Sequence, residues 1–423
     1  MLILLVASFF LLLIAGFPIA MAMGISSMIG LIVDTGIPSL VMAQKIFTAS
    51  DSFALMAVPF FMLAGQIMEK TGITDELVNF ANKLIGHLRG GLAYTVTLSG
   101  ILMAGISGSA NADASAIAAI TLPAMKKAGY SGGFSVSVIS AAGGLGPIIP
   151  PSIAMIIYAN LTNMSIGKLF LAGYAPGILM GLGYMFISGI YARRHNIPKT
   201  KFQGVRSVLV SFKTAVWALI MPVIIIGGIL TGVFTATESG VIAVFYGILY
   251  GFITRKLDLK KLKDCLFKSV VISAGPMSII IMANLLGYLL TRQNLSVILA
   301  QMIIPISTNP VVFYFIIMIT LLIAGMFLDG MAIMLILIPV LLPMIPVLGL
   351  DPMHFAMVFL LSLLTGGLTP PVGALLLIVS SIGEVPLKEC IKPILPFIGM
   401  MLACIVLIIY FPSIVTFLPG LVQ

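Results

Sequence analysis

The chain has 423 residues, 60% of them hydrophobic and 8% charged. Soluble domains carry roughly a quarter of charged residues, so a soluble globular fold is excluded, and the net charge of +9 is read as membrane topology rather than nucleic-acid affinity. Three scattered cysteines, Cys265, Cys390 and Cys404, have neither metal-ligand spacing nor a disulfide framework.

The apolar start, MLILLVASFFLLLIAGFP, lacks a basic n-region and a small-residue cleavage site and reads as a retained membrane segment. Pro18 either separates two short crossings or kinks one helix. Residues 73–88 (ITDELVNFANKLIGHL) set apolar residues at helical spacing with charges between them, predicting a helix in the membrane interface. Only 36 residues separate Arg89 from Lys126, and Gly105-Ile106-Ser107-Gly108-Ser109 interrupts them. A crossing needs about 20 residues, so residues 91–127 predict a re-entrant hairpin rather than two spans. Residues 130–163 predict a helix broken at Pro147, Pro150 and Pro151, and 169–191 return to Arg193. Two crossings fill 214–254, and 257–268 (LDLKKLKDCLFK) predict a second interfacial helix. A second hairpin follows over 311–346, interrupted at Gly325 to Gly330, then a second broken helix over 354–383.

The basic residues sort nineteen to the cytoplasm and three, Lys45, Lys168 and Arg292, to the opposite side. On that map the two hairpins enter from opposite sides. The halves also match when shifted by about 220 residues. Asp113 precedes Pro123 by ten residues and Asp329 precedes Pro339 by ten; G-G-L-G-P-I-I-P-P (Gly143 to Pro151) answers G-G-L-T-P-P (Gly366 to Pro371); and Phe60 to Glu69 answers Asn284 to Gln293 in position. The expected architecture is an all-α polytopic membrane protein, an inverted repeat with two re-entrant helical hairpins and two broken helices, split into 1–213 and 214–423.

A carboxylate within the bilayer is costly and marks function. Ten of the thirteen acids fall in connections or near helix ends, Asp34 and Glu69 among them, leaving Asp113, Glu238 and Asp329. Broken helices release carbonyls, and carbonyls, hydroxyls and carboxylates suit a hard cation such as Na+. The competing reading is that Asp113 and Asp329 cap the helices that follow them. Glu238 fits a cation contact or a cap for a helix starting near Ser239 equally well. The helices starting near Ser152 and Val372 direct positive dipole ends inward, toward an anionic group. His87, His195 and His354 sit at loop edges, poor places for a proton relay.

These motifs resemble the large membrane subunit of TRAP transporters, the tripartite ATP-independent periplasmic carriers. The resemblance rests on G-F-P (Gly16 to Pro18), A-V-P-F-F-M-L-A-G (Ala57 to Gly65), G-x-S-G-S-A-x-A-D (Gly105 to Asp113), P-x-M-x-x-x-G-Y (Pro123 to Tyr130), G-P-x-I-P-P-S (Gly146 to Ser152), T-A-T-E (Thr235 to Glu238) and the second hairpin with G-G-L-T-P-P. It implies an elevator-type, ion-transporter-like carrier in the bacterial inner membrane, coupled to Na+. It also implies a small four-helix membrane subunit, a periplasmic substrate-binding protein, and an organic acid substrate such as a C4-dicarboxylate or sialic acid. By the same resemblance the Na+ residues are Ser107, Ser109, Asp113, Gly144 and Pro147 in the first half, and Gly325, Asp329, Gly366, Thr369 and Pro370 in the second. Asn111, Ser152 and Gly367 are the substrate candidates. The chain reads as a carrier, not an enzyme. Two alternatives stay open, a stand-alone Na+/dicarboxylate permease of related fold and, more remotely, an intramembrane aspartyl protease using the two aspartates.

Overall fold

The structure, a computed structural model, describes residues 1–421 except 34, 35, 37, 39, 296, 297, 299–308 and 343. Asp34 therefore lies outside the described residues, which are helical with no strand.

One group of helices comprises α1 (Leu2–Ile14), α2 (Ile19–Val33), α3 (Leu40–Ser50), α4 (Ala57–Lys70) and α5 (Ile73–Ile85), with α11 (Val205–Leu230), α12 (Ala236–Ile253) and α13 (Leu259–Arg292). Pro18 separates two helices, α1 and α2, which pack on each other and on α13 through Leu5, Phe9, Ala22, Met23, Ala283 and Leu286. A helix forms over the stretch expected at 73–88: α5 starts at Ile73 and closes at Ile85. Ile73, Leu77, Val78 and Ala81 form its buried face, while Asp75 and Glu76 in its first turn and Lys83 in its last complement the helix dipole.

The second interfacial helix expected over 257–268 is not a separate element. Asp258 caps α13, which then runs 34 residues to Arg292. No Gly or Pro interrupts its first four turns, so nothing stops the helix where its charge ends. At 1.5 Å per residue it is about 50 Å long, well beyond a hydrocarbon layer of about 30 Å, and its Lys-rich first turns extend past the apolar stretch. The division drawn at 213 likewise falls inside α11, which begins at Val205. Among the described residues, five helices are long and apolar enough to cross a membrane: α11, α12, α13, α10 (Ile166–Arg194) and α19 (Leu387–Tyr410).

The remaining elements form two hairpins and two broken helices. Hairpin 1 is α6 (Gly91–Ser107) with α7 (Ala110–Lys127); broken helix 1 is α8 (Gly132–Gly143) with α9 (Ile153–Thr162). Hairpin 2 is α14 (Pro310–Gly325) with α15 (Gly330–Leu341), extended by a short α16 (Met344–Val347); broken helix 2 is α17 (Pro352–Leu368) with α18 (Ala374–Gly383). The chain ends in α19 and α20 (Ser413–Gly420).

The halves exchange elements. Helix α18 of the second broken helix packs on α7 of the first hairpin, and α9 of the first broken helix packs on α15 of the second hairpin. Lys126 fastens one of these contacts, donating from the end of α7 to the carbonyl of Gly383 at 2.6 Å. Lipid is as apolar as leucine, so close packing rather than hydrophobic exclusion holds such helices together. Helix α8 is accordingly rich in Gly, Ser and Ala and buried along nearly its whole length. Two of its serines are satisfied locally, Ser135 Oγ donating to the Ser131 carbonyl at 2.9 Å and Ser137 Oγ to the Gly133 carbonyl at 2.7 Å, while Ser140 Oγ finds no partner among the described residues. His354 is also structural: buried near the start of α17, its Nε2 lies 2.9 Å from the Ile408 carbonyl of α19.

Candidate functional site

Hairpin 1 turns at Gly108, whose φ of +59° is a left-handed conformation that a side chain would strain. A Cβ there would also lie 2.6 Å from the carbonyl oxygen of Pro151, so the turn sits against the break between α8 and α9. Ser109 caps α7, its Oγ accepting from the Ala112 N–H at 3.5 Å. Asp113 is therefore not the cap. It lies one turn inside the helix, fully buried, and its Oδ1 accepts a 2.6 Å hydrogen bond from Ser107 Oγ. Its Oδ2 has no hydrogen-bond partner among the described residues. A Cβ on Gly146 would stand 2.6 Å from that Oδ2, so the broken helix brings bare backbone against the carboxylate.

Hairpin 2 is built differently. Asp329 is the cap of α15, its Oδ1 accepting from the N–H groups of Met331 at 2.9 Å and Ala332 at 3.4 Å. The two aspartates stand equally far from Pro123 and Pro339, but α7 begins at Ala110 and α15 only at Gly330. The capping reading thus holds for Asp329 and fails for Asp113. Exposure separates them as well: the first break is buried throughout, whereas Phe327, Leu328, Asp329, Pro371 and Val372 are exposed.

Each break spends its hydroxyl on itself. Ser152 Oγ donates to the Pro147 carbonyl at 2.6 Å and accepts from the Met155 N–H at 3.2 Å, capping α9 where a new helix is expected. Thr369 Oγ1 donates to the Thr365 carbonyl at 2.7 Å, and its N–H to the Gly366 carbonyl at 2.9 Å. Helix α18 starts at Ala374, two residues beyond the expected Val372, with Gly373 as its cap residue. Gly325 and Gly366 hold hairpin 2 against broken helix 2, a Cβ on Gly325 falling 2.8 Å from Gly366 Cα.

Two cavities meet here. One of about 190 Å³ lies between the hairpin tips and is lined by Ser109, Asn111, Gly144 and Pro147 from the first half and Asp329, Gly330 and Gly367 from the second. The other, about 320 Å³, lies between hairpin 1 and helix α4 and is lined by Ser107, Ser109, Asn111 and Asp113 on one side and Gln66 and Glu69 on the other. Both include Met62, Ser109, Asn111 and Ile153. Of the expected site residues, Ser152, Gly325, Gly366, Thr369 and Pro370 line neither cavity and shape the breaks behind them. The sequence reading missed Gln66 and Glu69. The helical spacing of Met62, Gln66 and Glu69 in FFMLAGQIME puts them on one face, but only the tertiary structure shows what that face meets.

Among the described residues, no three His, Cys, Asp or Glu side chains gather at one point. The oxygen set on offer is one buried, half-unpartnered carboxylate with hydroxyls and carbonyls, which fits a hard monovalent cation. The two aspartates line different cavities and share no hydrogen bond, so no protease-like carboxylate pair is formed. Glu238 is the acid of a capping box: its Oε2 accepts from Thr235 N at 2.7 Å, and Thr235 Oγ1 accepts from Glu238 N at 3.2 Å, starting α12 at Ala236 rather than near Ser239.

The family model described as Tripartite ATP-independent periplasmic transporter, DctM component, matches residues 6–414. The chain belongs to this family. The C4-dicarboxylate TRAP transporter large permease protein DctM of Pseudomonas aeruginosa is 36% identical to this DctM-family chain over 380 residues, covering 90% of it and 89% of the relative. The sialic acid TRAP transporter large permease protein SiaM of Vibrio cholerae is 34% identical over 411 residues, covering 97% and 96%. In fold, the chain is similar to the YdaH transporter of Alcanivorax borkumensis, whose crystal structure was described as revealing an unusual topology. The TM-score is 0.66 at 15% identity, over 87% of this chain and 86% of that one. The DctM-family chain is thus a multi-pass TRAP transporter permease, and membership of a tripartite family tells against the stand-alone permease.

Proposed function

We propose that this permease takes up an organic acid of the C4-dicarboxylate or sialic acid class across the bacterial inner membrane, coupled to Na+ and moving by an elevator mechanism. The observation that carries this reading is the fully buried Asp113 carboxylate, with one oxygen held by Ser107 and the other unpartnered beside Gly146. Bound there, Na+ would supply the positive charge that lets an anion approach. Ser107, Ser109, Asp113 and the carbonyls of Gly144 and Pro147 would hold it. Asp329 and the carbonyls around Gly325, Gly366, Thr369 and Pro370 would form the second, more open position.

The cavity between the hairpin tips suits the substrate. Its lining has no Lys or Arg among the described residues, so a carboxylate would be met by the Asn111 amide, the Ser109 hydroxyl and backbone N–H groups near Gly367. Hairpins and broken helices, interlocked by the α7–α18 and α9–α15 contacts, form a natural moving body. Helices α4, α11 and α13, which pack along that body, form the natural scaffold. A small four-helix subunit and a periplasmic substrate-binding protein complete the assembly.

The test is uptake by proteoliposomes containing this chain and its small subunit, with the cognate binding protein, screened against candidate acids. Uptake is expected to need both Na+ and the binding protein. Undiminished uptake when either is omitted would overturn the reading.

A further inference from the structure

The cavity of about 320 Å³ between hairpin 1 and helix α4 has a charge pattern unlike that of the chain. The sequence holds 22 Lys and Arg against 13 Asp and Glu, yet among the described residues the charged groups lining this cavity are Glu69 and Asp113, both acidic, with no Lys, Arg or His. Gln66 and Glu69 stand on α4, outside the hairpin body, and Asp113 on α7 across the cavity. The crevice between hairpin 2 and helices α3 and α13 has the opposite sign, Lys45 being its charged residue, 4.7 Å above the ring of Tyr288.

Resting on the Na+ reading of Asp113, we infer that Glu69 and Gln66 form a cation antechamber, a second and weaker cation position through which Na+ passes between the aqueous crevice and the Asp113 carboxylate. Two observations support it independently. The cavity wall ends at a fully buried carboxylate whose Oδ2 has no partner, and its outer wall carries an exposed carboxylate on a different helix. Low-dielectric walls lined by one sign of charge raise the local concentration of the opposite ion. The same field repels an anionic substrate from this crevice, so Glu69 would retain the cation while favouring departure of the acid.

The experiment measures 22Na+ binding to the purified chain in detergent, and Na+-dependent uptake in proteoliposomes, for the wild type, Glu69→Gln and Glu69→Asp. Glu69→Gln is expected to raise the half-saturating Na+ concentration in both assays by roughly two- to five-fold, the scale of one solvated charge interaction. Glu69→Asp should recover most of the loss. Added choline chloride should shrink the difference, because exposed charges are screened over about 8 Å at physiological ionic strength. A Glu69→Gln protein that binds Na+ like the wild type, in a wild type that does bind it, overturns the antechamber alone. A wild type that neither binds nor needs Na+ overturns the Asp113 reading beneath it.

Discussion

Ser107 Oγ donates a 2.6 Å hydrogen bond to Asp113 Oδ1 across the turn of hairpin 1, and the N–H of Ser109 donates to the same serine oxygen at 3.0 Å. The serine thereby orients the carboxylate and leaves Oδ2 directed at the backbone near Gly146. Asp113→Asn keeps the shape and removes the charge, so it should abolish Na+-dependent uptake while protein abundance in the membrane holds. Ser107→Ala should raise the half-saturating Na+ concentration by roughly ten- to a hundred-fold, as expected for losing a hydrogen bond to a charged group. Equal Na+ dependence in all three proteins would show the pair to be structural.

Asp329 combines two roles that substitution can separate. Serine is as good an N-cap as aspartate, while alanine costs about 0.5–2 kcal/mol. Asp329→Ala should lower the melting temperature in detergent, and Asp329→Ser should restore it. If the carboxylate also contacts a cation, the serine variant stays stable yet needs more Na+ for uptake. Wild-type Na+ dependence in Asp329→Ser would make the residue a cap and nothing more.

Adjacent glycines should behave oppositely. A Cβ on Gly366 would fall 2.8 Å from the Leu321 carbonyl oxygen and 2.9 Å from Gly325 Cα, whereas one on Gly367 meets nothing within 4 Å. Gly366→Ala should destabilise the protein by about 1–3 kcal/mol, the usual cost of overpacking, seen as a lower melting temperature and lost uptake. Gly367→Ala should fold normally and change KM for the acid, because its methyl group can enter the cavity between the hairpin tips. A Gly367→Ala protein with unaltered KM would remove that residue from the substrate site.

Outside the membrane-spanning segments, Lys256 pairs with Glu76 of helix α5, and Tyr250 Oη donates to the same carboxylate at 3.2 Å. Burial works against the lysine charge, but the hydrogen bond and charge of Glu76 outweigh it and hold the pKa above the ordinary lysine value. A raised lysine pKa contributes stability that is present below the unfolded value and lost as pH rises through the folded one. Glu76→Gln should therefore lower stability at pH 8 by less than about 1 kcal/mol, with the difference fading as the pH rises past the ordinary lysine value of about 10.4. The same difference on both sides of that value would assign the effect to packing.

The sequence alone determined that this chain spans a membrane many times, that it carries two re-entrant hairpins and two broken helices, and which Gly- and Pro-rich stretches interrupt them. These are local properties. Apolar run length, Gly and Pro in mid-run and the placement of Lys and Arg act within a few residues, so Ser107 to Asp113 and Gly143 to Pro151 were legible without neighbours. Repetition within the chain also pointed to Asp113 and Asp329 as counterparts. Only the tertiary structure decided that Asp113 is buried one turn inside α7 while Asp329 caps α15, because a helix start depends on what packs against the turn. It also decided that 257–268 open a single long helix, that α7 pairs with α18 and α9 with α15, and that Glu69 faces Asp113 across a cavity. Those outcomes depend on contacts between residues distant in the chain, which hydropathy and motif spacing do not encode.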